Sequence, residues 1–306
     1  MKPGLCMVLS VIVWGTYPLV VSYTLFHLNS VSLAFYVQAT AASASLIALI
    51  IKDRNFCQKI FQITFLDGVS LCLAGCFMSG FIFLLYYSLE NAPKIHVVII
   101  LEIWPLMSLL LAPILIQKEW KAIGIGEVVL VFIGFVGVAI ALSEGKFSNF
   151  TTKMQTGHLT ALIAALCTSI GTLLITRNAE KIDKYNPINA ILMSQFISRT
   201  LSSFILLAFA ISINSLKMIQ LENIVSVIYL GGFVLVLGAM LFSFAIKYSK
   251  SPSIVMLWFI YPVISVVLLY FFGFGHIYKE TLIGAIMVVS VNILNSQLQK
   301  AKRNIK

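Results

Sequence analysis

Val97-Val98-Ile99-Ile100-Leu101-Glu102-Ile103-Trp104-Pro105-Leu106-Met107-Ser108-Leu109-Leu110-Leu111 is an apolar run that carries one charge, Glu102, and one proline, Pro105. Extended over 95–116, it has the roughly 20 residues that a helix needs to cross the hydrocarbon core of a bilayer. The same length and polarity recur along the chain. They predict ten spans, at 4–24, 31–51, 66–88, 95–116, 122–142, 157–176, 189–211, 224–245, 253–272 and 280–298. Composition agrees: of 306 residues, 60% are hydrophobic and 10% charged, and the mean hydropathy is +1.00. A soluble domain carries about 45–50% apolar and about 25% charged residues. This chain lacks the charge to cover a wetted surface, which excludes a soluble domain, a disordered chain, a collagen, a coiled coil and a disulfide scaffold.

A net charge of +10 would raise nucleic acid as a partner for a soluble protein. Here the placement of the charge reports topology instead, because cytoplasmic loops hold the excess of Lys and Arg. Fifteen of the 21 basic residues fall on the side shared by the two termini: Lys2; Lys52, Arg54 and Lys59; Lys118 and Lys121; Arg177, Lys181 and Lys184; Lys247 and Lys250; and Lys300, Lys302, Arg303 and Lys306. Five (Lys94, Lys146, Lys153, Lys217 and Lys279) fall on the other side, and Arg199 lies inside a span. Both termini are therefore expected in the cytoplasm, with the lipid bilayer as medium and no nucleic acid as partner. The first span lacks a small-residue cleavage site, and Cys6 stands too near the start for a lipoprotein anchor, so the span is expected to be retained.

Little in the sequence supports catalysis. Cys6, Cys57, Cys72, Cys76 and Cys167 have no zinc or haem spacing and read as small packing residues. His27, His96, His158 and His276 fall near span ends, as interfacial residues do. No phosphate-binding glycine loop, Gly-x-Ser-x-Gly or His-Glu-x-x-His is present. An ATP-driven pump within this chain is excluded, and no enzyme activity, cofactor or metal is expected.

Shifting the chain by about 157 residues aligns its halves. Gly15-Thr16 answers Gly171-Thr172, Gln38 answers Gln195, Ile103-Trp104-Pro105 answers Ile260-Tyr261-Pro262, and Gly126 answers Gly284. The order of the matches is the argument for a repeat. Five spans per repeat is an odd number, so the second copy begins on the opposite side and the halves are inverted. Inverted repeats build secondary transporters, with the solute site near the midplane where the repeats meet. The expected fold is thus an all-α polytopic membrane protein of ten helices in two inverted five-helix repeats. The first repeat covers 1–145, an inter-repeat loop 146–156, the second repeat 157–298, and a basic cytoplasmic tail 299–306.

This arrangement resembles the drug/metabolite transporter superfamily, EamA type. The local features that carry the resemblance are Trp14-Gly15, the turn from Leu89 through Pro93, Glu119, and Gly134 and Gly137 in the fifth span. The Trp104-Pro105 and Tyr261-Pro262 pairs are similar to the aromatic amino-acid exporter branch, which has Tyr two residues before the Trp where this chain has Glu102. The resemblance implies a cavity lined by spans 1, 3, 4, 6, 8 and 9, with 5 and 10 peripheral.

Glu102 is costly at its depth unless it meets water, a cation or a partner. It is a candidate proton carrier or substrate-amine ligand, and alternatively an ion-pair partner of Arg199, the only other deep charge. Arg199 continues a polar stripe from Gln195 to Ser202 and Ser203, a pattern that more often joins helices than binds solute. Trp14, Trp104, Trp258 and Tyr261 offer rings for stacking or cation–π contact, and Thr16 and Thr172 are the polar candidates beside them. Tyr17, Tyr86 and Tyr87 fit an interfacial belt. Pro105 and Pro262 are the hinge candidates. Ala161, Ala165 and Ser169, like Thr40, Ala44 and Ala48, have the four-residue spacing of close helix contacts.

The expected function is secondary transport of a small organic metabolite such as an amino acid across a bacterial-type cytoplasmic membrane, with proton coupling through Glu102. Export follows from the resemblance. Uptake or exchange of a nucleotide-like metabolite is the alternative, and a membrane enzyme or assembly partner the alternative from another class.

Overall fold

A computed structural model of the chain describes residues 2–53, 55–117, 125–143, 155–182, 187–249 and 252–305, and among these every regular element is helical. Helices α1 (Pro3–Gly15) and α2 (Tyr17–Thr24) form one interrupted span, followed by α3 (Ser30–Lys52), the short α4 (Phe56–Phe61) and α5 (Phe65–Asn91). A second interrupted span joins α6 (Lys94–Leu101) to α7 (Trp104–Ala112) and ends in a π turn, Pro113–Gln117. Then come α8 (Ile125–Ser143), α9 (Thr156–Ile182) and α10 (Pro187–Ser212). The next span is α11 (Leu221–Ile228), a π segment (Tyr229–Gly238) and α12 (Ala239–Tyr248). A 3-10 segment (Pro252–Ile260) runs into α13 (Tyr261–Phe271), and α14 (Lys279–Ile305) follows.

Eight of these runs are long and apolar enough to cross a membrane, and Val128–Ser143 and Leu257–Phe271 are shorter apolar helices. The shorter pair correspond to the predicted spans 122–142 and 253–272. The expected loop after residue 176 is helical as far as Ile182, and the expected tail 299–306 is helical as far as Ile305, continuing α14. Glu119, the loop basic residues Arg54, Lys118, Lys121, Lys146, Lys153, Lys184, Lys250 and Lys306, and the inter-repeat loop over 146–154 lie outside the described residues.

Local chemistry sets the boundaries. The Asn29 side chain accepts from the Ser32 N–H at 2.8 Å to start α3, and Thr64 accepts from the Asp67 N–H at 3.3 Å to start α5, each satisfying an orphan donor of a first turn. Helix α5 stops at Ala92, which is extended (φ −150°, ψ 163°) because the following Pro93 disfavours the helical region. Beyond Lys52, Asp53 pairs with Lys59 at 2.7 Å and accepts from Asn189 of α10 at 3.4 Å, tying the α3–α4 turn to the start of α10. Lys59 beside it holds the Asp53 carboxyl below its ordinary value.

The outer surface is apolar: Phe65 is 85% exposed and Phe132 69%, as lipid-facing residues are and as few soluble monomers allow. Inside, hydroxyls bond back to their own helices, as Ser22 does to Pro18 O at 2.7 Å and Ser79 to Gly75 O at 2.8 Å. First-half helices pack against second-half ones: α5 along α9, α3 along α10, α8 along α14, and α1 against α12 and α13. Ala161 and Ala165 are fully buried on α9, and Ser169 there donates to Trp104 O at 2.7 Å. Where α8 crosses α14, Gly137 and Gly284 meet backbone to backbone, and a side chain on either would strike the other helix.

Candidate functional site

Four of the spans are irregular in mid-course. The first breaks at Gly15-Thr16, where Pro18 follows as the second residue of α2. The span of α6 and α7 breaks at Glu102-Ile103, with Pro105 as the second residue of α7. Pro262 holds the same place in α13, after the 3-10 segment. Proline removes a backbone donor, and inside a membrane carbonyls around such a break can be satisfied by side chains of neighbouring helices. Ser265 donates to Gly15 O at 2.9 Å, Asn292 to Glu102 O at 3.0 Å and Ser169 to Trp104 O at 2.7 Å. In the π segment and at its end, Leu235 O accepts from Arg199 at 3.2 Å and Gly238 O from Ser10 at 2.8 Å.

Around these breaks lies a cavity of about 260 Å³ to which α1, α3, α5, α6, α7, α9, α10, the π segment, α12 and the segment Trp258–Tyr261 contribute. One wall is aromatic. Trp14 meets Trp258 edge-on at 5.8 Å between ring centroids, Trp258 lies 4.9 Å from Tyr261 and 4.4 Å from Phe242, and Trp104 completes the lining. Gln38, Thr172, Gln195, Arg199 and Ser243 form the polar part of the lining. Arg199 donates to Gln38 Oε1 at 3.1 Å and to Leu235 O at 3.2 Å.

Trp14, Trp104, Thr172, Trp258 and Tyr261 line this cavity, as expected for candidate ligands. Thr16 does not; its hydroxyl is held by Tyr229 at 2.5 Å and by Val13 O at 2.8 Å. Glu102, 3% exposed, stands one layer behind: its carboxylate accepts from the Tyr261 hydroxyl. The other side of Glu102 borders an apolar groove of about 200 Å³ between α6, α13 and α14.

Three sequence readings change. Glu102 and Arg199 form no ion pair, since each takes its hydrogen bonds elsewhere, Glu102 with Tyr261 and Arg199 with Gln38 and Leu235 O. Gln195 and Arg199, read as helix glue, face the cavity, so spans 2 and 7 join the lining that the family resemblance implied. Tyr17 and Tyr86 are not belt residues: both are buried and their hydroxyls hydrogen-bond each other at 2.7 Å. The pairing of Gln38 with Gln195 at matched positions was the sequence signal that could have found the polar wall. Elsewhere, His96 and His158 are buried near their helix starts with ring centroids 5.6 Å apart. Cys57, Cys72 and Cys76 are exposed, whereas Cys6 packs in the interior. Among the described residues no three His, Cys, Asp or Glu side chains stand together as a metal site would need.

No curated protein matches the chain. A solved crystal structure is similar over 97% of this chain and 97% of its own, with a TM-score of 0.62 at 16% identity, a likeness of fold alone. The profile of the EamA-like transporter family matches residues 1–143 and 155–296. With nearly the whole length matched, the chain belongs to the EamA-like transporter family, multi-pass membrane transporters of small solutes.

Proposed function

We propose that the protein is a secondary active transporter that carries a small organic metabolite, such as an amino acid, through its central cavity by alternating access. The observation that carries this reading is the cavity itself, lined from both halves of the chain at the level where the helices are broken. The proposal includes ten spans in two inverted repeats, 1–145 and 157–298. Supporting it, the family profile matches two segments of near-equal length, and Gln38 and Gln195, like Trp104 and Tyr261, face the cavity from positions that correspond between the halves. Packing also comes in exchanged pairs: α5 on α9 is answered by α1 on α12, and α7 on α9 by α1 on α13. Inverted halves of similar energy give a molecule two states.

Pro105 and Pro262 start the half-helices on either side of the cavity and serve as hinges. Glu102, reached from the cavity through the Tyr261 hydroxyl, carries the coupling proton. The charge placement sets both termini in the cytoplasm of a bacterial-type cytoplasmic membrane, and the Trp104-Pro105 and Tyr261-Pro262 pairs favour export, as in the aromatic amino-acid branch they resemble. Reconstitution of the full chain into proteoliposomes, with a panel of amino acids and related metabolites, tests the proposal. Saturable counterflow of at least one solute is expected, accelerated by a proton gradient. Flux equal to that of protein-free vesicles across the panel refutes it.

A further inference from the structure

The cavity contains a cation with no counter-charge. Arg199 is 9% exposed, and no carboxylate lies within ion-pair distance of it among the described residues. Two of its nitrogens are used, one on Gln38 and one on Leu235 O, but its Nε has no partner. A buried guanidinium in a membrane protein is expensive unless it is compensated, and a hydrogen bond to a neutral amide and a backbone carbonyl leaves the charge itself unmatched.

The groups around it are donors. Gln38 is fully buried, and because its carbonyl oxygen accepts from Arg199, its amide nitrogen is left as a donor, without a partner. The one orphan acceptor on this wall is Gln195 Oε1. Buried polar atoms in native proteins are almost always satisfied, so this set describes a missing partner: an acceptor-rich anion for the two adjacent donors, Arg199 Nε and the Gln38 amide, with one N–H for Gln195.

We propose that Arg199 and Gln38 bind a single carboxylate of the transported solute. Charge decides between anions. One guanidinium neutralises one carboxylate, whereas a phosphate monoester or a nucleotide brings two or more negative charges into a cavity whose described lining has no second cation; the excess would stay uncompensated in a low-dielectric site. Size agrees, since about 260 Å³ lies just under the roughly 300–1,000 Å³ of pockets for drug-sized ligands. The rings of Trp14, Trp258 and Tyr261 take the apolar body of the solute. A structural role for Arg199, bracing the π segment through Leu235 O, uses one nitrogen and explains neither the orphan donors nor the free charge.

This assignment rests on the transport reading above, and the test separates the two. Full-length protein in lipid nanodiscs is titrated by intrinsic tryptophan fluorescence with monocarboxylates (L-leucine, L-phenylalanine, and straight-chain acids up to twelve carbons), each against its carboxamide, and with phenyl phosphate. The acids that bind are expected to do so at least about tenfold more tightly than their amides, the loss expected of a charged hydrogen bond. Arg199→Gln abolishes that preference and Arg199→Lys keeps part of it. Gln38→Met, which keeps the side chain's length and removes its amide donor, weakens the acids and spares the amides, and serves should the Arg199 variants fail to fold. Equal binding of acid and amide by the unaltered protein, binding of no acid, tighter binding of phenyl phosphate, or a preference that survives Arg199→Gln would each overturn the proposal. In proteoliposomes, acids and amides carried alike would sink the carboxylate site and leave transport standing. Acid-selective binding without flux would keep the site and refute transport.

Discussion

Where helices α8 and α14 cross, a single methyl group has a calculable effect. A Cβ built on Gly284 would lie 2.7 Å from both the Cβ and the backbone nitrogen of Ala141, and nearer still to the Gly137 carbonyl oxygen. Ordinary contact begins at 3.4 Å, so the two helices must part by at least 0.7 Å. Overpacking of this kind costs about 1–3 kcal/mol, and the better helix propensity of alanine returns about 0.5–1 kcal/mol. Gly284→Ala is therefore expected to be destabilising by up to about 2.5 kcal/mol net. Gly126, on the same helix α8, is the control: a Cβ there meets nothing within 4 Å, so Gly126→Ala should be neutral or stabilising. Thermal unfolding of the purified protein in detergent, followed by tryptophan fluorescence, reads both. Because neither glycine lines the cavity, the solute KM should not change at permissive temperature. Equal melting of Gly284→Ala and the unaltered protein would show that the helices do not approach as closely as described.

Glu102→Gln should flatten the pH dependence of transport while leaving solute binding in place, measured as counterflow against pH; unchanged pH dependence removes Glu102 as proton carrier. Tyr17→Phe and Tyr86→Phe should be non-additive, because each single change strands the other hydroxyl; a double-mutant cycle by chemical unfolding should give a coupling of about 0.6 kcal/mol, up to about 1.7, and strict additivity refutes the bond. Asp53 is held below its ordinary pKa by Lys59, so its contribution is complete above the unfolded value near 4 and is lost as pH falls through the lower folded value. Asp53→Asn should accordingly reduce the loss of stability seen on acidification below about pH 4, measured by melting across that range.

The breaks at Pro105 and Pro262 were legible because proline declares its missing donor in the sequence. The π segment Tyr229–Gly238 was not: no proline marks it, and its carbonyls are satisfied by Arg199 and Ser10 from spans far away in the chain. Periodicity placed Gln195 and Arg199 on one stripe of α10 but could not say which neighbour the stripe faces, so a cavity wall read as glue. Tyr17 and Tyr86 were misread for a related reason. Distance along a span gives depth in the bilayer, while whether a ring points to lipid or inward depends on packing. Glu102 stood out by its cost, yet the Tyr261 hydroxyl that screens it from the cavity lies 159 positions away.

The proposed mechanism depends on a cavity that opens to each side of the membrane in turn. In a variant whose native cysteines are replaced, Thr172→Cys puts one thiol in the cavity wall. A membrane-impermeant maleimide, applied to one face of oriented vesicles and then to the other, should label it from both faces, and more slowly when a transported solute is present. Labelling from one face only, or from neither, would mean that the cavity does not alternate.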